Sequence, residues 1–298
     1  MSHRHIEGYE SNQSVKSLII TMILNFLITI AEVVGGLLSG SLALISDALH
    51  NFSDGIAIII TYIAIRLARK PKTEKYTFGL KRAEIIAAII NSSTLIIISF
   101  FLIKEAIERF YNPSPITGSL MLVVAVIGLL ANTIGTFLLK KGSSGNINIR
   151  AAYFHLLSDA VSSFAVIIGA IFIIFYNVYW IDPLLTILIS LYILKEAYNI
   201  TREAIEVLMM AAPVGININE IKKTIESYPE VNNIHHLHLW KLNDNQIHLE
   251  AHIDVCDELI SNLMPLKNTI EDMLCQKFKI NHTTLQFEIA QCESKDIY

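Results

Sequence analysis

The sequence predicts a membrane-embedded all-α domain of six helices followed by a small water-facing α+β domain, and three observations carry that prediction. The 298-residue chain is 53% hydrophobic and only 17% charged, with a mean hydropathy of +0.49, which is oilier than a water-soluble domain of this size. Apolar runs long enough to span a bilayer fill residues 17–208, whereas 213–298 have an ordinary soluble mixture with six of the ten histidines. After Pro213 the long apolar runs give way to short helical and alternating segments. The expected organisation is a cytoplasmic N-terminal tail at 1–16, a transmembrane domain at 17–208 and a cytoplasmic domain at 213–298.

A transmembrane helix needs about 20 mostly apolar residues, and six stretches qualify, at roughly 17–38, 43–66, 83–104, 116–139, 151–176 and 181–202. The third, fourth and fifth have long charge-free stretches, while the first, second and sixth contain or abut charge. Lys and Arg near the ends orient the bundle. The loop after the second span carries Arg66, Arg69, Lys70, Lys72, Lys75, Lys81 and Arg82, and the loop after the fourth carries Lys140, Lys141 and Arg150. Those loops are expected in the cytoplasm, and with six spans both termini join them. On the other side "SGS" at 39–41 is uncharged, and near "NPSP" at 112–115 Lys104 and Arg109 are offset by Glu105 and Glu108.

In the C-terminal part, "NEIKKTIESY" at 219–228 sets Ile221, Ile225 and Tyr228 on one helical side, whereas 234–242, 246–255 and 282–290 alternate as strands. "NDN" at 243–245 makes the first two strands a hairpin, and a further helix covers 261–278. The order αββαβ is that of a ferredoxin-like fold one strand short. A net charge of −4 and a pI near 6.2 offer no basic face for nucleic acid. Cys256, Cys275 and Cys292 all lie in this part without a C-x-x-C pair, as expected of reduced cytosolic thiols.

The chemistry concentrates in two short motifs. "SDALHNFSD" at 46–54 and "HLLSD" at 155–159 each place a histidine four residues before an aspartate within an apolar run, and no other histidine occurs between His5 and His235. Residues i and i+4 share a helix face, so His50 with Asp54 and His155 with Asp159 form two clamps, each with one imidazole and one carboxylate. If the second and fifth spans pack together, the four groups converge with the ligand number and N/O mixture that tetrahedral zinc accepts. The plainer reading, polar residues satisfied across a helix interface, is costly. Each Asp at a helix centre costs roughly 2.5–3.5 kcal/mol, while an interhelical hydrogen bond returns about 0.6 kcal/mol. Asp47 and Asn51 continue one polar stripe, Ser158 and Ser162 the other, and Asn25, Glu32 and Asn132 are further intramembrane polar groups whose facing is open.

"AEVVGGLLSGSLALISDALHNFSDG", "FGLKRAE", "HLLSDAVSS", "HHLHLW" and "HTTLQFE" together resemble the cation diffusion facilitators, in particular their zinc-transporting branch. The resemblance implies a homodimer of six-helix subunits with paired cytoplasmic tails, multi-pass in a bacterial inner membrane, exchanging cytosolic Zn2+ for external H+. It implies a transport site of His50, Asp54, His155 and Asp159, with histidine rather than aspartate at His50 going with zinc over cadmium. It also implies a second zinc site in the tail, from His235, His252, Gln286 and Glu288, with His282 and Cys292 near enough in sequence to join. His236, His238 and His248 are expected to be ordinary surface or hairpin residues. Two features depart from many relatives: "RLARKPKTEKYTFGL" has no histidine or aspartate to bind an ion between the second and third spans, and "KKGSSGNINIR" has no histidine-rich insert.

Three functions compete on these residues. A proton-coupled transporter uses groups for which metal and protons compete, and needs no ATP, consistent with the lack of a G-x-x-x-x-G-K-[ST] loop. An intramembrane metal hydrolase wants an open coordination position and commonly H-E-x-x-H, which does not occur. A membrane-bound metal sensor would use the tail histidines but leave the buried pairs unexplained.

Overall fold

The computed structural model describes residues 4–140, 147–243 and 246–289. In chain order the elements are α1 (Arg4–Ser39), α2 (Leu42–Ala68), α3 (Ala83–Tyr111), α4 (Gly118–Lys140), α5 (Ile147–Tyr176), α6 (Ile181–Leu208), α7 (Ile218–Ile225), β1 (Val231–Asn243), β2 (Gln246–Val255), α8 (Ile260–Phe278) and β3 (His282–Glu288). Among the described residues, five helices are long and apolar enough to cross a membrane, and Ile23–Ser39 of α1 is a shorter apolar helix. The helix of α1 begins at Arg4, well before the apolar run, and α3 and α6 extend past their expected ends to Tyr111 and Leu208. A helix can continue through polar residues that the apolar count leaves out.

Residues up to Ile60 and Ile90–Ile200 form one compact unit; Thr61–Ile89 and the chain from Thr201 form a second. The first unit is apolar outside and buries a set of polar groups beside an apolar core. Ile97 and Phe175 are 70% and 74% exposed, whereas Glu32, Asp47, Asn51, Asn132 and Asp159 are all buried. That inversion suits a hydrocarbon solvent, where apolar side chains face outward at no cost. Close approach of α1 to α4 depends on Gly35, whose Cβ would lie 2.4 Å from Val124 Cγ2. Ala43, Leu44, Met121, Val124, Val166, Ala170 and Ile173 form the apolar core of this unit.

The turn between α1 and α2 is held by residues from far along the chain. Gly40 takes φ +76°, a left-handed conformation that glycine adopts without strain. Its carbonyl accepts from Arg109 Nη1, and Ser39 O accepts from the Thr117 amide at 2.9 Å. The first amides of α2 lack intrahelical acceptors, and the buried carboxylate of Asp182, in the first turn of α6, supplies them. It accepts from Leu42 N at 2.8 Å and Ala43 N at 3.3 Å, and from the Ser41 hydroxyl.

The C-terminal elements follow the expected order α-β-β-α-β, with a sheet ordered β1-β2-β3. β1 and β2 are antiparallel, and Asp244 and Asn245 of the expected "NDN" turn lie outside the described residues. β3 runs parallel to β2, with His252 opposite Gln286 and Asp254 opposite Glu288. Leu249, Ala251 and Ile253 of β2 pack with Ile221 and Ile225 of α7 and Ile270 and Leu274 of α8 into one continuous core. Asn217 caps α7 by accepting from Asn219 N, and α8 ends at Lys279 in the left-handed conformation.

Replacing Asp182 with Ala should strand two backbone donors and a hydroxyl and destabilise the helical unit by about 2 kcal/mol. Thermal unfolding of the purified protein in detergent should show a lowered midpoint, with Asp182→Asn, which keeps an acceptor oxygen, falling between.

Candidate metal centre

α2 projects His50 and Asp54 from one face, and α5 projects His155 and Asp159 from another, each pair one helical turn apart. His50, Asp54 and His155 each bring one ligand atom within 4.8 Å of the others, and Asp159 lies beside the two histidines. Asp54 Oδ2 lies 3.6 Å from His50 Nε2 and 3.2 Å from His155 Nε2. Asp159 Oδ1 is 4.0 Å from His50 Nε2, and its Oδ2 is 3.6 Å from His155 Nε2. Tetrahedral zinc, with bonds of about 2.0–2.1 Å, has ligand-to-ligand edges of about 3.3–3.4 Å. The observed edges bracket that value. Asp54 Oδ2 and Asp159 Oδ2 are buried without hydrogen bonds. Such acceptors are costly to leave bare in an apolar interior. The site is open to differing degrees: Asp159 is 3% exposed and His155 38%.

Around the four groups runs a polar tract from α1, α2, α4 and α5. Asp47 Oδ1 accepts from Ser162 Oγ at 2.9 Å, and Glu32 Oε2 accepts from Asn51 Nδ2 at 3.1 Å. Glu32, whose facing the sequence left open, therefore points inward. A Cβ at Gly128 would lie 2.9 Å from Glu32 Oε1, so the missing side chain is what admits the carboxylate. Gly128 faces Ser163 and Gly135 faces Leu156, an antiparallel pairing that brings Asn132 level with Asp159. Neither atom of the buried Asn132 amide has a hydrogen bond. Ser158, expected to extend the stripe, instead reaches the Tyr192 hydroxyl at 3.2 Å.

A second cluster sits on the sheet. His235 on β1 and His252 on β2 are register partners, and Glu288 on β3 lies between them, with Oε1 2.7 Å from His235 Nε2 and Oε2 3.2 Å from His252 Nδ1. One ligand atom from each of the three lies within 4.8 Å of the others. Asn233 Oδ1 is 3.1 Å from His235 Nδ1, a contact that fixes the orientation of the ring. Gln286 stands opposite His252 in register but is exposed. His282 is not brought to this cluster: it pairs with His248, four residues along the strand and about 13 Å away. Cys292 lies outside the described residues.

Two further tail histidines pack against other rings. A register shift between His235 and His238, with His236 at φ +46°, turns the His236 ring to 5.1 Å from that of His252. A bulge re-aims side chains in this way. His248, expected as a surface or hairpin residue, stands in the β1–β2 hairpin opposite Trp240, where it is 6% exposed and stacks on that ring with centroids 5.4 Å apart. Only His238 of the three is exposed.

An apolar helical bundle with a buried N/O cluster, joined to a small sheet domain with a second, has the make-up of a membrane protein that handles metal cations. Residues 18–209 match the cation efflux transmembrane domain, and 213–290 match the cation efflux protein cytoplasmic domain. The chain is 40% identical over 291 residues, 97% of its length and 92% of the relative's, to the cadmium, cobalt and zinc/H+-K+ antiporter of Bacillus subtilis (strain 168). It is 38% identical to zinc transporter ZitB of Pectobacterium atrosepticum, over 98% of this chain and 91% of the relative. It is likewise 38% identical to the metal cation efflux system protein CzcD of Cupriavidus metallidurans, over 99% of this chain and 92% of the relative. The chain belongs to the cation efflux family, a family of metal cation transporters and not of enzymes, and is a multi-pass inner-membrane protein.

The core of the sheet domain is built from residues beyond Pro213 alone, so a fragment of 213–298 should fold in isolation. Isothermal titration should then show zinc binding that weakens at least tenfold on His252→Ala or Glu288→Ala, with His238→Ala unchanged.

Proposed function

We propose that this chain exports Zn2+ from the cytoplasm in exchange for H+, by alternating access around His50, Asp54, His155 and Asp159. The observation that carries the reading is the clustering of His50, Asp54 and His155, one ligand atom of each within 4.8 Å of the others, with Asp159 4.0 Å from His50 and 3.6 Å from His155, an N/O set that a tetrahedral ion accepts. Six membrane spans within residues 17–208, a tail before them and a ferredoxin-like domain at 213–298 are the organisation that goes with it, both termini facing the cytoplasm. Pairing of the cytoplasmic domains would make the transporter a homodimer in the bilayer, in keeping with a match to the family's cytoplasmic domain. A regulatory zinc ion would be held in the tail by His235, His252 and Glu288. The buried, hydrogen-bond-free Nε2 of His235 and Nδ1 of His252 fit that role.

Coupling follows from the donor set. Zinc binds deprotonated carboxylate and neutral imidazole, so loading displaces protons and protonation ejects the ion. Histidine near pKa 6.5 and aspartate near 3.9 in their ordinary states bracket the range over which an outward-facing site would exchange one for the other. Rocking of helix groups about a site at mid-membrane depth supplies the alternation. The carbonyl-free N/O set also accepts Co2+, Cd2+ or Fe2+, and relatives carry cadmium and cobalt in their names.

Inside-out vesicles with an acidic lumen should accumulate zinc, a protonophore should stop them, and Asp54→Ala or Asp159→Ala should reduce uptake to background without loss of folded protein. Uptake that survives collapse of the proton gradient and instead follows ATP would overturn the exchange, and full uptake by both variants would overturn the site. A potassium gradient run in parallel separates K+ from H+ as the counter-ion, the two ions in the B. subtilis relative's name.

A further inference from the structure

The histidine pair left out of the tail cluster lies in a cavity of its own. His248 and His282 face each other across β2 and β3, with ring centroids 4.5 Å apart. The cavity they line has a volume of about 280 Å3 and is completed by Lys72 and Lys81, from the segment after α2, and by Gln246 and Asn281. Phe78 closes one side, its ring edge-on to His248 at 5.9 Å.

Every polar group in this lining can donate a hydrogen bond, and among the described residues no carboxylate lines it. Asn281 Oδ1 already accepts from Ile247 N at 3.0 Å, so its amide NH2 is what it can offer. Burial first, and then the neighbouring His282 and Lys72, hold the His248 imidazole below its ordinary pKa. An adjoining cavity shares Lys81 and Gln246 and adds Arg69 and Glu84, one charge of each sign, so it does not cancel the excess. The surrounding segment carries Arg66, Arg69, Lys70, Lys72, Lys75, Lys81 and Arg82 against Glu74 alone.

We propose that this cavity binds a phosphate group, either free inorganic phosphate or the headgroup of an anionic phospholipid. Two ammonium groups, two imidazoles and two side-chain amides are the donor set that phosphate oxygens take. A divalent cation is the wrong occupant: two lysines repel it, and two imidazoles without a third histidine, cysteine or carboxylate fall short of a metal's ligand number. The volume is at the small end for ligand pockets, which suits a tetrahedral anion better than a nucleotide. The segment bearing Lys72 and Lys81 directly follows a helix apolar enough to cross the membrane, and clustered basic residues there meet anionic headgroups.

The test uses the full chain purified in detergent. Titration with inorganic phosphate followed by calorimetry should show saturable binding, weakened roughly tenfold or more by the double change Lys72→Gln with Lys81→Gln. Lys70→Gln with Lys75→Gln removes the same charge from residues that do not line the cavity, and should weaken binding by less than about threefold. Native mass spectrometry after exchange into mixed micelles identifies the source. Preferential retention of phosphatidylglycerol over phosphatidylcholine, lost in the first double variant and competed by phosphate, assigns the site to lipid. Saturable phosphate binding without that preference assigns it to the free anion. The proposal is overturned if neither phosphate nor phosphatidylglycerol is preferred, or if both double variants weaken binding equally, since the loop's diffuse charge would then account for it.

Discussion

Charge-bearing side chains inside an apolar helical bundle set the terms for everything around them. A carboxylate in hydrocarbon is costly alone, and two of them beside two imidazoles persist only where each oxygen and nitrogen has a partner or an ion to share. In this chain the buried polar groups come from four helices. His50 and Asp54 stand on α2 and His155 and Asp159 on α5, while α1 and α4 close the polar tract through Glu32, Gly128 and Asn132. The glycines follow from the same constraint. Gly35 lets α1 approach α4, and Gly128 leaves room for the Glu32 carboxylate, so the small residues decide how near the polar groups can come.

The two N/O clusters reach similar chemistry by different means. In the membrane helices each half of the cluster is local, a histidine and an aspartate one turn apart, and tertiary packing has only to bring two rigid halves together. On the sheet, His235, His252 and Glu288 come from three strands. A bulge after His235 and the Asn233 contact at 3.1 Å orient the ring on β1. The first arrangement tolerates relative motion of the two helices without breaking either half. The second is braced by a continuous apolar core on the sheet's other face and holds its three side chains in fixed register.

The capping of α2 by Asp182 shows the same economy of polar groups. This aspartate is fully buried and serves as the N-terminal cap of a helix 140 positions earlier in the chain. It anchors the end of the helix that carries His50 and Asp54. Any displacement of α6 is therefore felt at the start of α2, through buried hydrogen bonds rather than through apolar contacts that could slide.

Much of this protein is legible in one dimension. Hydropathy and charge bias mark the helical runs because solvent preference is a property of each residue type. The i to i+4 spacing in "HNFSD" and "HLLSD" marks the clamps because helix periodicity is local, and alternation in 246–255 marks β2 for the same reason. Contacts between residues distant in the chain leave no such trace. That Glu32 turns inward, that Asp182 caps α2, that His248 is buried against Trp240, and that His282 joins His248 and not His252 were decided by helix packing and strand register. A parallel register between β2 and β3 sets His282 beside His248; a different register would have moved it along the sheet at about 3.3 Å per residue, and strand alternation alone cannot distinguish the two.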